Sequence, residues 1–193
     1  RQRARVRNPT SEPHSVPNGA VVAVSIDGRY RFSKFFDYRI DHIDGGHGIE
    51  GDAHYGPLVR HRYLARRNPK APNLRQIHLI PSELFDGLRA SGLEVRPGDL
   101  GENIATVGSI SNASPWARCS GLALQRRSNS PAPARPASSS IASVRIEESP
   151  AGQTGGPRFK AGVMAIVTEG GEVSPGDRIR AILPAPPHLD LPP

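Results

Sequence analysis

The sequence predicts a mainly β domain: a barrel of short strands with a few short helices, interrupted by a disordered Ser/Pro/Ala segment. Three observations carry that prediction. Residues 20–26 (AVVAVSI) and 161–167 (AGVMAIV) are apolar and rich in β-branched side chains, the pattern of buried strands. Residues 75–80 (RQIHLI) alternate polar and apolar, as a half-buried strand does. Twenty Gly and 20 Pro punctuate 193 residues, which keeps every regular run short.

Along the chain, residues 1–19 are charged and aperiodic and are read as a disordered basic tail. The domain is assigned to 20–183, and 184–193 is a Pro-rich tail. After the strand at 75–80, Pro81 opens a short helix with Ser82 in its cap region. Leu84, Phe85 and Leu88 share one face of that helix, and Gly92 stops it. Gly170-Gly171 reads as a turn between the strand at 161–167 and a last strand at 177–183. Residues 109–150 have a different texture. Within 128–143 (SNSPAPARPASSSIAS), 13 of 16 residues are Ser, Pro or Ala, with no periodicity and little to bury.

Composition excludes several classes. One Cys rules out a disulfide scaffold and any multi-cysteine metal site. No run approaches the roughly 18 apolar residues of a membrane helix, so a soluble protein without a membrane partner is expected. No apolar signal core is visible either. A cytoplasmic location follows, with a mitochondrial one left open by Arg1, Arg3, Arg5 and Arg7. The first residue is Arg, as expected of a processed or partial chain. The net charge of +7 invites a nucleic-acid reading, but its arginines cluster without interleaved aromatics or a recognisable module. That reading ranks last. It predicts an affinity that collapses with added salt.

Gly46-His47-Gly48-Ile49-Glu50-Gly51 spells a dinucleotide-binding fingerprint, but that motif needs a helix after it, and Gly56-Pro57 forbids one. The glycines are expected to serve tight turns or close backbone approach. His47, Asp52 and His54 fit no compact zinc spacing, so polar loop contacts are the favoured reading. Arg60-His61-Arg62 and Asn73-Leu74-Arg75-Gln76 offer guanidinium forks and amides, the groups that grip phosphate or a polar heterocycle. Composition alone favours a solvated face there. Gly98-Asp99-Leu100-Gly101-Glu102-Asn103 places carboxylates and an amide in a Gly-rich loop. No nucleophile elbow occurs.

The ordered blocks together resemble the MOSC family, the domain named after the C-terminal part of molybdenum cofactor sulfurase. The carrying stretches are Phe32-Ser33-Lys34, Gly48-Ile49-Glu50-Gly51-Asp52-Ala53-His54, Val59-Arg60-His61-Arg62, Pro72-Asn73-Leu74-Arg75-Gln76 and Pro97-Gly98-Asp99-Leu100-Gly101-Glu102-Asn103. Ala161-Gly162-Val163-Met164 and Gly170-Gly171-Glu172-Val173 complete the order. The resemblance covers about residues 20–108 and 159–181. It implies a β-barrel that binds molybdenum cofactor (molybdopterin) and acts in sulfur transfer or in reduction of N-hydroxylated compounds. A small-molecule cofactor or substrate and an electron-transfer partner are the partners it implies. By the match, Lys34, His54, Arg60, Arg75, Gln76, Glu102 and Asn103 line the site. Lys34, Arg60 and Arg75 would hold anionic groups, and Gln76 and Asn103 would hydrogen-bond a pterin-like ring. Pyridoxal phosphate, bound by a separate domain in the sulfurases, has no such domain in 193 residues.

The family also carries a Cys in an R-x-P-C segment shortly before the 161–167 strand, where a soft thiolate suits metal–sulfur chemistry. This chain has no such segment. Cys119, in Trp116-Ala117-Arg118-Cys119-Ser120-Gly121, lies too early and is read as a decoy. Without the thiolate the chain is expected to be catalytically inactive, and a non-catalytic cofactor-binding module is the alternative function. The departure has an explanation in the codons. Read in another frame, residues from Ser109 to Gly121 permit Ile-Asp-Leu-x-x-Leu-Pro-Leu-Gly-Thr-Leu-Leu-Arg. Residues 135–143 permit Thr-Pro-Cys-x-x-Ile-Asp-Arg-Phe after a permitted Arg. Residues 109–150 are therefore read as a frame-shifted stretch, expected to leave barrel edges unpaired and the chain poorly stable. Sequencing the transcript across the codons for Thr106 to Lys160 checks this. An in-frame R-x-P-C is expected, and bases that forbid Cys at the Ala137 junction would overturn it.

Overall fold

The computed structural model describes residues 19–31, 33–37, 40–108, 121–125, 142–147 and 162–182. Its framework is an eight-stranded sheet ordered β11-β7-β8-β9-β5-β6-β1-β2, with β1 and β11 also paired. The members are β1 (Gly19–Ile26), β2 (Phe35–Asp37), β5 (Ile77–Pro81), β6 (Ile104–Val107), β7 (Gly121–Gln125), β8 (Ala142–Glu147), β9 (Val163–Glu169) and β11 (Arg178–Ile182). β1 is the closing strand. Its first residues pair with β11 through Gly19↔Ile179 and Ala20↔Arg178, its middle pairs with β6, and its end pairs with β2. A register shift between Val21 and Ala23 marks a bulge, which bends the strand enough to serve all three partners. The sheet thereby curls into a barrel, as expected. A second sheet of β3 (Ile40–Asp44), β4 (Gly48–Ile49) and β10 (Gly171–Val173) packs Ile40, Ile43, Ile49 and Val173 into the same core.

Every pairing is antiparallel except β5 with β6, which run parallel. Parallel neighbours need a long crossover, usually a helix, and α2 (Ser82–Ala90) supplies it. Strand alternation then creates two apolar layers. Ile77, Leu79, Ile104 and Ala165 face the barrel interior with Val21, Val24 and Ile179. Ile80, Ala105 and Ala23 face outward and are covered by Phe85 of α2. Leu84 packs against the edge of that outer layer. At the far end of α2, Gly92 takes φ 84°, a left-handed conformation that favours glycine.

Several expectations are corrected. Pro81, not Ser82, is the residue before the first helical turn, and no side chain caps the helix. Pro81 is still paired with Thr106, so the chain passes from strand to helix with no residue left over for a cap. Gly171 opens β10 opposite Ile43 and is not simply a turn residue. A Cβ on Gly170 would strike the Ile43 carbonyl, so this glycine serves close strand approach. The strand beginning at 161 starts at Val163, after Gly162. Finally, the barrel edges flanking 109–150 are not left open: β7 pairs with β11, β8 with β9, and the two with each other. Gly19, read as the end of the basic tail, opens β1, and the stretch read as disordered over 109–150 contains β7 and β8, the latter taking Ala142 and Ser143 from the Ser/Pro/Ala tract. Residues 1–18, 128–141 and 184–193 and Cys119 lie outside the described residues.

No helix among the described residues is long and apolar enough to cross a membrane. Ile104 is fully buried and sits between Leu79 of β5 and Val24 of β1, the junction of the parallel pair with the closing strand. Ile104→Ala is expected to cost about 3 kcal/mol. Chemical denaturation checks this, as a lowered midpoint with an unchanged slope.

Candidate functional site

The site is built on the outer face of the barrel, beside the layer that α2 covers. His78 of β5 and Met164 of β9 are direct partners in the ladder, so they share one face. Their neighbours Ile77, Leu79 and Ala165 point into the core, which turns His78 and Met164 outward. Four loop segments surround this pair. They bring Lys34 from before β2, His54 and His61 from the stretch between β4 and α1 (Arg62–Arg67), Arg75 from before β5, and Gly101 and Asn103 from before β6. These eight side chains and backbone segments line a cavity of about 40 Å³.

Asp52 holds the lining together from beneath. Its Oδ2 accepts hydrogen bonds from Lys34 Nζ at 2.7 Å and Asn103 Nδ2 at 2.8 Å. Its Oδ1 accepts from the His54 backbone N–H at 2.9 Å and pairs with His54 Nδ1 at 3.2 Å. Burial of Asp52 alone would raise its pKa, but the His54 hydrogen bonds and the Lys34 ammonium outweigh it and hold the carboxyl well below its ordinary 3.8. All four partners are in place, so Asp52 presents no free charge to the cavity.

Further braces fix each lining residue. Asn103 Oδ1 accepts the His78 backbone N–H at 3.1 Å, and the Asn103 amide also reaches Ser25 O at 3.3 Å. Asn73 Nδ2 donates to His54 O at 2.7 Å and Gly56 O at 3.0 Å, while its Oδ1 receives the Arg75 N–H at 3.1 Å. Asn73 thus fixes the His54 loop and the backbone of Arg75 together. Glu102 is fully buried; one carboxylate oxygen accepts the Gly98 N–H, and Oε2 has no partner. Burial pushes the Glu102 pKa up, against the pull of the backbone hydrogen bonds. Gly98 in turn accepts the Lys34 N–H at 2.8 Å through its carbonyl. It has φ 95°, and any Cβ there would strike the Lys34 carbonyl. The loop after residue 96 therefore reaches the site through backbone contact with Lys34.

Of the seven residues expected in the site, Lys34, His54, Arg75 and Asn103 come together around the cavity. Three do not line it. Gln76 spends its amide on Gly46 O at 2.6 Å and its carbonyl on the Val167 N–H at 2.9 Å, joining the β4 turn to β9. Glu102 braces the Gly98 turn. Arg60 is exposed and lies against Gly56, where a Cβ would come within 3.3 Å of its Nε. The Asn103 amide is also consumed internally, so it positions Asp52 and is not free for a pterin-like ring. His61, His78, Gly101 and Met164 were missed as lining residues. Alternation along 75–80 carries the signal for His78, because a histidine between two core positions must face the other side. Within 46–51, Gly48 has φ 102°, and a Cβ there would meet Gln76 Cβ at 3.0 Å, so close approach explains this glycine.

His61 adds an unusual feature. Its Nδ1 is buried and has no hydrogen-bond partner. Burial lowers its pKa, and Arg75 and His54 lower it further, so the neutral imidazole is favoured. Outside the cavity, Tyr30 meets His54 edge-on at 5.5 Å, and the Arg62 guanidinium lies 5.1 Å from the centre of the Tyr30 ring. No group of three or more potential metal-ligating side chains occurs among the described residues. His47 turns its Nδ1 toward Gly45 O at 3.0 Å.

No family model matches the chain, and no curated protein matches it. Among solved structures the fold is similar to the YuaD protein from Bacillus subtilis. The TM-score is 0.63 at 17% identity, covering 90% of this chain and 100% of that one. YiiM from Escherichia coli also matches, with a TM-score of 0.44 at 16% identity over 86% of this chain and 71% of that one.

Asp52→Asn is expected to destabilise the fold by about 3 kcal/mol, because it leaves the buried Lys34 ammonium without its counter-charge. The sign with pH follows from the direction of the shift. A carboxyl held below 3.8 stabilises the fold above that pH and loses its contribution as pH falls through and below it. Thermal unfolding between pH 2 and 5 is therefore expected to show a shallower acid decline in the variant than in the parent.

Proposed function

We propose that this chain is a binding module for a small anionic ligand, that the ligand is the molybdenum cofactor, and that the module has no sulfur-transfer or reductase chemistry of its own. One observation carries the reading. The cavity is lined by two fixed cations, Lys34 and Arg75, and three imidazoles, while Asp52, the carboxylate at its base, is fully consumed by hydrogen bonds. Such a lining favours an anion. A cationic or apolar ligand would leave Arg75 desolvated without compensation, whereas Lys34 already has Asp52 as its counter-charge. The stretches that resemble the MOSC family contribute Lys34, His54, Arg75 and Asn103, and this resemblance supplies the ligand class.

The residues fit part of that cofactor. A cavity of about 40 Å³ has room for about three waters, enough for one anionic head group and too small for a fused ring system, which would lie at the mouth. Lys34 and Arg75 would hold the head group. When bound, the cofactor supplies redox or sulfur chemistry at its metal. The metal end lacks a matching donor, because no thiol lies among the described lining residues. No sulfur transfer and no reduction of N-hydroxylated compounds is therefore assigned to this chain.

Arg75→Ala tests the reading. Among the described residues its guanidinium makes no hydrogen bond or ion pair, and Arg75 is held through its backbone N–H, so the variant is expected to fold normally. Loss of a charged hydrogen bond of about 2 kcal/mol predicts about 30-fold weaker cofactor binding. Loading with molybdopterin, gel filtration and fluorescence of the retained pterin reads the effect. Unchanged retention overturns the proposal.

A further inference from the structure

Residues 57–74 form a narrow ribbon on the surface beside the cavity, with α1 at its tip. Its two arms pair: Pro57 O accepts the Asn73 N–H and Ala71 O accepts the Val59 N–H, both at 2.9 Å, and Leu58 bridges Pro72. Side chains alternate along such arms. Val59 and Asn73 are buried, so Leu58, Pro72 and Leu74 share the outer side, with Leu58 48% and Leu74 47% exposed. At the tip, α1 buries no residue, and its Tyr63 is 61% exposed. The charge around these apolar groups has one sign. Arg60, Arg62, Arg66, Arg67 and Lys70 are exposed, and no Asp or Glu occurs from 53 to 82. None of the five cations makes an ion pair among the described residues. A face that serves solubility alone mixes both signs and keeps apolar side chains scattered.

We propose that this ribbon docks another protein through a surface that is acidic and also presents apolar side chains. His61 of the ribbon and Arg75 at its end line the cavity, so a partner seated there lies beside it. The docking surface stands whatever the cavity holds. Three observations choose the occupant. The segments outside the described residues carry Glu12, Glu148 and Asp190 as their only acids, so this sequence holds no acidic run of its own to cover the ribbon. A nucleic acid would match the charge, but the neighbouring exposed aromatics already carry arginines where bases would stack. Arg67 lies 5.4 Å from the centre of the Tyr63 ring and donates to its hydroxyl at 3.0 Å, and Arg62 sits over Tyr30. The outward leucines also have no use on a phosphate backbone, whereas arginine and tyrosine beside apolar area are what protein interfaces enrich.

Three fluorescent probes of equal charge test this: a peptide of repeating Glu-Glu-Leu, a peptide of Glu alone and an oligothymidine. Each is titrated into the full chain by anisotropy at constant ionic strength. The leucine-containing peptide is expected to bind at least about tenfold more tightly than the other two. Leu58→Ser with Leu74→Ser is expected to bring the two peptides level. Arg66→Glu with Lys70→Glu is expected to weaken both peptides at least about tenfold. All four side chains are exposed, so both double variants are expected to fold, which circular dichroism checks. Arg178→Glu with Arg180→Glu makes the same charge change on β11 and is expected to have little effect. An equal loss from that control pair means that binding follows net charge alone and overturns the surface. Oligothymidine bound as tightly as the leucine-containing peptide assigns the ribbon to nucleic acid and overturns the protein partner. Equal affinity of the parent chain for the two peptides, or a preference that survives the leucine substitutions, overturns the apolar contact and the proposal with it.

Discussion

The Asp52 carboxylate is the constraint on which the site depends. It lies in the loop after β4 and joins two segments distant in sequence, Lys34 before β2 and Asn103 before β6, to His54 in its own loop. A buried carboxylate is tolerable only when its oxygens are saturated, and here the saturating donors are the groups that line the cavity. The same four hydrogen bonds therefore neutralise the charge and set the positions of Lys34, His54 and Asn103. Asp52 acts beneath the site as a positioning residue. Asp52 balances Lys34, so Arg75 supplies the excess positive charge of the lining.

Much of the fold was legible because its strands obey simple periodicities. The apolar run at 20–26 lies in β1, the alternation read over 75–80 lies in β5 from Ile77 onward, and Leu84 and Phe85 of the expected apolar stripe pack under α2. What could not be read locally was pairing. The parallel β5–β6 contact depends on a crossover, and the bulge at Val21 depends on β1 serving three partners. The strands at 121–125 and 142–147 were also illegible, since the Ser/Pro/Ala texture between and around them hides two short segments that find partners in β11 and β9. Short strands of weak pattern are specified by their neighbours more than by themselves.

For the site, residue type was legible and direction was not. Gln76 and Arg75 are adjacent in sequence just before β5, yet the Gln76 amide goes to Gly46 O and Val167 N while Arg75 lines the cavity. Glu102 and Asn103 part in the same way, one bracing the Gly98 turn and the other Asp52. A motif that reads as a cluster of polar groups is thus half scaffold and half lining. Asn73 makes the point from the other side: it touches no cavity, yet fixes both the His54 loop and the Arg75 backbone.

The pairing of Gly19 and Ala20 with Ile179 and Arg178 joins the first described strand to the last. During synthesis β1 emerges from the ribosome long before β11 exists, so the barrel cannot close until β11 has emerged. Until then the segment that will meet β11 is an unfinished strand edge, available to any other extended chain nearby. Closure at such sequence distance also gives a high contact order and a slow final step. The interval of greatest exposure for this barrel is the one between translation of β1 and emergence of β11.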